Sequence, residues 1–433
     1  MIAEIMATGE EIRSGALIDR NSAYIADKLG AVGVFVTRHM CVGDDLDLLI
    51  SAFKEIGSRA DVAVVTGGLG PTSDDLSAQA AAAAAEVSLV LNQAAQQSLE
   101  NFFKARKQVI NPASQKQALL PEGAQCLANP IGTAPGFRIK IGKCLFFFLP
   151  GIPREMRRML SDTVLPQLIQ NLEVKRNFYR VKTLSTFGLT ESKVFERLAG
   201  LENAFPKISL GLRVRFPEIQ VKLYTNGPNA QQLNGILESA ARWVTDKMGN
   251  TVFSHQGEPM EKVVGRLLRE KQATLALAES CTGGLIASML TDESGSSDYF
   301  LFSGVTYSNQ AKIDILNVSK ETIAKYGAVH ENTAREMARG ARNLCGATYG
   351  LATSGIAGPT GGTKEKPVGT VCIGLATPHV TTGQRFYFWF GDRIMNKQVF
   401  AVAALEVLRR ELLGMDPPCF QAAVQFWSGK TGS

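Results

Sequence analysis

The chain has 433 residues, more than one hydrophobic core usually sustains, so two or three domains are expected. Its residues are 45% hydrophobic and 20% charged, a globular composition, and its net charge of +6 contains no lysine–arginine run interleaved with aromatics, which argues against nucleic-acid binding. No apolar run reaches membrane-spanning length, Met1-Ile-Ala-Glu opens no secretory leader, and seven cysteines without a Cys-x-x-Cys pair predict reduced thiols in a cytoplasm and no zinc knuckle.

Residues 1–168 alternate two periodicities. Strands are predicted over 2–7, 34–42 and 60–65, helices over 21–29 and 46–56, and the alanine-rich segment to Ala85 reads as a further helix. Such alternation predicts a doubly wound, mostly parallel sheet with its ligand beyond the carboxyl ends of the strands. The 60–65 strand runs into Thr66-Gly-Gly-Leu-Gly-Pro-Thr-Ser-Asp-Asp75, a loop able to cradle a phosphate with backbone amides. Asp74 and Asp75 are hard oxygen ligands suited to a divalent cation on a pyrophosphate. The plainer alternative makes them first-turn carboxylates favoured by the helix dipole. A hairpin is predicted over 137–149, and Pro153 opens a helix. Gly132-Thr-Ala-Pro-Gly136 reads equally as a tight loop or as a turn beside a nucleotide.

These residues resemble the molybdopterin-biosynthesis-like domain at the N-terminus of CinA proteins. The shared stretches are Gly9-Glu-Glu-Ile-Arg-Ser-Gly15, Asp19-Arg-Asn21, Val42-Gly-Asp-Asp45, residues 67–75, Asn111 with Lys116-Gln-Ala118, 129–137 and 149–156. Some relatives hydrolyse ADP-ribose to AMP and ribose 5-phosphate with a divalent metal. The resemblance places that metal near Asp44, Asp74 or Asp75. It places the nucleotide on Gly67, Gly68, Gly70, Thr72 and Asn21. Arg20 stands where relatives usually carry threonine, which bears on the nucleotide pocket and not on the metal.

Residues 169–252 change character. Strands are predicted over 178–186, 208–213 and 218–224, helices over 191–199 and 230–248, with a turn at Asn226-Gly227. This is a small α+β module, and with Gly188-Leu-Thr-Glu-Ser192 it resembles the KH-type middle region of the same family. The stretch has no Gly-x-x-Gly loop of the kind KH domains use for RNA, so it reads as a spacer or the contact of a homodimer.

From residue 253 a third α/β domain is expected, to about 414, before a loosely held tail over 415–433. It opens with a helix over 258–268 and a strand over 273–278, which breaks at Glu279-Ser280-Cys281-Thr282-Gly-Gly284 before another helix. Such a turn bares amides, and the helix start favours negative charge, so Ser280 can meet a developing oxyanion. Alone it could equally be a helix cap. A strand ending near Tyr307 leads to Ser308 or Asn309 as the cap of a helix carrying Lys312, a base if desolvated. A third strand runs into the glycine-rich loop 354–362. Strands over 368–376 and 385–390 and a core-facing helix over 396–413 follow.

Together these segments resemble the C-terminal domain of the CinA family, the nicotinamide mononucleotide deamidases. The blocks are Ala278-Glu-Ser-Cys-Thr-Gly-Gly284, Gly295-Ser-Ser297, Gly304-Val-Thr-Tyr-Ser-Asn309 with Lys312, Ser354-Gly-Ile-Ala-Gly-Pro359, Lys366-Pro-Val-Gly-Thr-Val371 and Gly391-Asp-Arg393. The resemblance implies hydrolysis of the nicotinamide carboxamide by a serine–lysine pair, Ser280 and Lys312, with Tyr307 and Ser297 as helpers and no cofactor. Substrate contacts are expected from Thr282, Gly283, Gly284, Ser354, Gly355, Gly358, Gly361 and Arg393, the last against the phosphate. The alternative for Arg393 is an ion pair with Asp392 or Glu365. Cys281 competes with Ser280 as nucleophile, and the sequence leaves open whether His330 approaches Ser280. A rival reading is a nucleotide-binding regulatory protein without turnover, linked to competence or DNA damage.

Overall fold

The computed structural model describes residues 1–171, 178–388, 390 and 392–418. Gly391, Cys419 and the tail beyond residue 418 lie outside them. The chain divides into two compact units, Met1–Arg180 with Thr225–Asn234, and Val181–Tyr224 with Gly235–Ser433.

The first unit is built on β1 (Ile2–Thr8), β2 (Phe35–Val42), β3 (Val62–Thr66), a β4–β5 pair (Leu89–Leu91 and Leu119–Pro121), β6 (Gln125–Leu127), β7 (Gly136–Ile141) and β8 (Cys144–Leu149). The main sheet runs β2-β1-β3-β8-β7-β6, parallel across the first four strands and antiparallel at β7 and β6. The parallel centre follows from β3, every residue of which is buried, as a strand covered on both faces requires. Three phenylalanines of β8 are fully buried: Phe148 stacks on Phe137 at 4.3 Å, and Phe53 meets it edge-on at 5.2 Å. The helix Gln93–Ala105, capped by Asn92, is an element the residue pattern does not announce.

Mostly within the second unit, β9 (Phe178–Thr186), β10 (Ser209–Arg215), β11 (Glu218–Gly227) and β12 (Val252–Ser254) form a sheet ordered β10-β11-β9-β12, packed with the amphipathic helix Ala230–Met248. Glu218 of β11 is buried and accepts the Met260 amide at the start of the helix Met260–Glu270; burial pushes its carboxyl up to about 7.

The last sheet holds β13 (Leu275–Glu279), β14 (Phe300–Val305), β15 (Tyr349–Gly355), β16 (Thr370–Ala376) and β17 (Thr381–Tyr387), in the order β14-β13-β15-β16-β17. β13 is parallel to both neighbours, so the loops after β13, β14 and β15 emerge together. The helix Glu331–Cys345 lies close over β15, β16 and β17. A side chain on Gly374 would start 1.9 Å from Ala334 O, and one on Gly350 2.1 Å from Ala338 O. β17 begins four residues before the expected strand, because it pairs from Thr381 with Ala376; Phe388 leaves the strand to enter the core. The final helix spans Arg393–Leu413, its first turn set by Asp392, which accepts the Met395 amide. Among the described residues no helix is long and apolar enough to cross a membrane.

Candidate functional site

Ser280 follows the carboxyl end of β13, and its amide donates to Thr353 O of β15 at 3.0 Å. The chain then turns through Gly283 (φ 62°) and Gly284 (φ 88°), two successive left-handed residues that only glycine takes without strain. Lys312 stands in the helix Asn309–Leu316, whose cap is Ser308. The Lys312 side chain is completely buried. Its Nζ lies 3.2 Å from Ser280 Oγ, 2.8 Å from Thr306 O and 3.0 Å from Tyr307 O. Burial lowers the Lys312 pKa. A neutral amine has two N–H groups and one lone pair. Here Nζ donates to both carbonyls and to Ser280 Oγ; on losing a proton it would keep the two carbonyl bonds and turn its lone pair to the Ser280 hydroxyl.

The neighbouring candidates separate. Cys281 is buried, and that burial pushes its thiol up to about 12, so no thiolate forms near neutrality. The Tyr307 side chain is 63% exposed; its backbone carbonyl, not its ring, meets Lys312. Ser297 sits exposed in the short turn Ser296–Asp298, with no hydrogen bond to Ser280 or Lys312 among the described residues. His330 caps the helix Glu331–Cys345: its Nδ1 accepts the Asn332 amide and its ring stacks on Tyr326, so it takes no part at Ser280. Neither helper is therefore placed on the pair by its side chain.

Glu279 is the residue that pattern reading missed. Fully buried at the end of β13, it accepts from the amides of Gly284, Ile286 and Ala287 at 2.9, 3.2 and 2.9 Å. Gly283 N is spent on Ser280 O. The expectation that the amides of Thr282, Gly283 and Gly284 all receive an oxyanion is corrected accordingly. Among the described residues the Cys281 amide faces its own sulfur, and the Thr282 amide, without a backbone partner beyond the turn, is buried with its residue. A carboxylate at the start of an acidic-looking motif gave no signal of pointing back under the helix.

The glycine-rich loop after β15 is held from several sides. Ser354 Oγ donates to Ala328 O, the Thr282 and Thr353 hydroxyls pair at 2.7 Å, and Gly358 and Gly361 take positive φ. Gly355 packs closely enough on the turn that a side chain there would meet Cys281 Sγ at 3.1 Å. Arg393 forms neither expected ion pair among the described residues. Its guanidinium donates to Gly358 O at 2.6 Å and to the Tyr307 hydroxyl at 3.4 Å, tying the two loops together.

In the first unit a cavity of 880 Å³ opens beyond β1 and β3, bordered by Gly67, Gly68, Gly70, Asn21, Arg20, Asp44, Asp74 and Asp75. Thr72, expected among the nucleotide contacts, does not line it; its amide donates to Asp75, which does. Lys116 Nζ donates to Asp75 O, and Gln117 donates to Leu69 O, so both fix the loop from behind. Asn21 donates to Gly151 O at 2.7 Å and to Thr66 Oγ1. The 132–136 segment is a tight turn held by the Asn129 side chain, which accepts the Gly132 amide, and Thr133 and Ala134 border the cavity. Burial raises the Asp44 pKa against the hydrogen bond from the Glu10 amide, and Asp74, Glu11 and Asp75 raise it further. Three acidic neighbours around Asp44 fit a divalent cation in charge. Among the described residues no three His, Cys, Asp or Glu form a ready cage. A cation here would take its other ligands from phosphate and water, as magnesium does.

Comparison with known proteins covers nearly the whole chain. Residues 4–170 match the model of the probable molybdopterin binding domain, 181–254 that of the damage-inducible protein CinA KH domain, and 257–412 that of the CinA C-terminal domain. The CinA-like protein of Desulfosudis oleivorans is 54% identical over 414 residues, covering 95% of this chain and 100% of that one. The CinA-like protein of Desulforapulum autotrophicum is 47% identical over 417 residues, covering 95% and 99%. A crystal structure of the competence/damage inducible protein CihA from Agrobacterium tumefaciens is 35% identical, covering 36% of this chain and 97% of that one, with a TM-score of 0.34.

Proposed function

The chain belongs to the CinA family, and on that premise we propose that its C-terminal domain hydrolyses the carboxamide of nicotinamide mononucleotide to nicotinate mononucleotide and ammonia. The observation that carries this reading is the fully buried Lys312 amine 3.2 Å from Ser280 Oγ. Lys312 takes the hydroxyl proton as Ser280 Oγ bonds to the carboxamide carbon. The turn that follows Ser280 faces the resulting oxyanion. As the C–N bond breaks, Lys312 returns the proton to the nitrogen, ammonia leaves, and an ester remains on Ser280. The neutral amine then deprotonates water, which cleaves the ester to the carboxylate and restores the serine. No metal or cofactor is required by this sequence of steps. To test it, the protein is quenched in acid during turnover of nicotinamide mononucleotide and its peptides are weighed. A pyridine carboxylate ester on the Ser280 peptide is expected. A Ser280 peptide that never carries the adduct, with the adduct on Cys281 instead, rejects the assignment.

A second activity is supported by the cavity of the first unit, where a glycine-rich loop and the acidic group around Asp44 face one 880 Å³ space. We read it as a metal-dependent ADP-ribose pyrophosphatase site. Asp44 and Asp74 would hold the cation, which neutralises charge on the pyrophosphate. Asp75 is committed to Thr72 and shapes the loop. Asn21, Gly67, Gly68 and Gly70 position the nucleotide.

A further inference from the structure

The start of the helix Leu285–Thr291 offers no open anion site, because Glu279 fills its amides. Positive charge at the Ser280 turn comes from another element. Lys397, in the second turn of the helix Arg393–Leu413, holds its Nζ 3.5 Å from the point where a side chain on Gly283 would begin. Gly283 is exposed, so the ammonium stands on the open side of the turn. Among the described residues Lys397 has neither a carboxylate in ion-pair range nor a hydrogen bond. Arg393, one helical turn earlier, is occupied with Gly358 O and the Tyr307 hydroxyl. The two cations therefore do different work: Arg393 braces loops, and Lys397 is free to meet a ligand.

Gly283 lies three Cα steps from Ser280, at most roughly 11 Å. A carboxamide on Ser280 Oγ and an anionic group beyond a ribose fit within that reach. We propose that Lys397 is the positioning residue that grips the phosphate of the mononucleotide, making the site select a phosphorylated substrate over the corresponding riboside. This rests on the amidohydrolase reading of Ser280. A lysine ammonium is a mobile point charge with three donors, matched to a phosphate dianion by charge-assisted hydrogen bonds.

The test uses the full chain and the substitutions Lys397→Gln and Lys397→Arg. Steady-state ammonia release is measured on nicotinamide mononucleotide and on nicotinamide riboside, with inorganic phosphate as inhibitor. Lys397→Gln is expected to raise KM for the mononucleotide roughly tenfold or more, with kcat held within about twofold, the pattern of lost uniform binding. The riboside kcat/KM stays level, inhibition by phosphate weakens, and Lys397→Arg restores both. Equal losses on the two substrates, or an unchanged KM, overturn the proposal. If the native protein releases ammonia from neither compound, the amidohydrolase reading has failed by itself. Calorimetric titration of phosphate and mononucleotide then decides the role of Lys397: weaker binding by Lys397→Gln supports it, and equal binding overturns it.

Discussion

A buried amine that faces two carbonyl oxygens and one hydroxyl can shed its proton without losing a hydrogen bond, because the lone pair replaces the third donor. Lys312 has that surrounding. In the proposed mechanism the neutral form is the base, and burial holds the pKa below the ordinary lysine value of about 10.4. The sign follows. Activity is lost as pH falls through the Lys312 pKa and is recovered as pH rises through it. A plot of kcat/KM against pH should therefore show an acid limb with an apparent pKa under that of free lysine. Lys312→Met should lower the rate by roughly 10²–10⁴-fold, and remove the limb. Lys312→Arg should not rescue it, since a guanidinium stays protonated. An active arginine variant, or a limb that survives in the methionine variant, contradicts the role. The family resemblance named this pair before any fold was known, and the fold sets Lys312 Nζ 3.2 Å from Ser280 Oγ. The Tyr307 and Ser297 roles were not: spacing brings a residue to a loop, and only the fold decides whether its ring or its carbonyl arrives.

At the scale of the element, β13 and the helix Leu285–Thr291 are joined by one carboxylate. Glu279 satisfies three of the amides that a helix start leaves open. Glu279→Gln keeps the shape but turns one acceptor oxygen into a donor that faces N–H groups. Destabilisation of about 1–3 kcal/mol is expected, seen as a lower urea midpoint with an unchanged slope, together with a loss of kcat. An unchanged midpoint removes Glu279 from this role. Element boundaries were largely legible where pattern and chemistry agree. Cys144–Leu149 and Ala230–Met248 fall where a continuous apolar run and helical spacing put them. The reading slipped where pairing overrides pattern. In β17, Thr381 and Thr382 enter the strand opposite Ala376 and Leu375, while aromatic Phe388 leaves it for the core. Lys397 was invisible for a related reason. A lone lysine on an amphipathic helix looks like solvent-facing charge until the glycine turn opposite it is placed.

Over the whole chain, the two proposed sites lie in separate compact units and make opposite demands. On the proposed reading the Ser280–Lys312 pair works with protein groups alone, whereas the cavity near Asp44 takes a cation to bring a pyrophosphate among carboxylates. The doubly wound character of the first unit could be read from its alternation. The antiparallel edge of the last sheet could not, since β16 is a continuous buried run such as a parallel strand would carry. The measurement that separates the chemistries is ammonia release from nicotinamide mononucleotide by the intact chain, with and without a chelator, for the native protein and for Ser280→Ala. The account predicts release that ignores the chelator and disappears with the serine. Near-native release by the alanine variant, or release that the chelator abolishes, contradicts it.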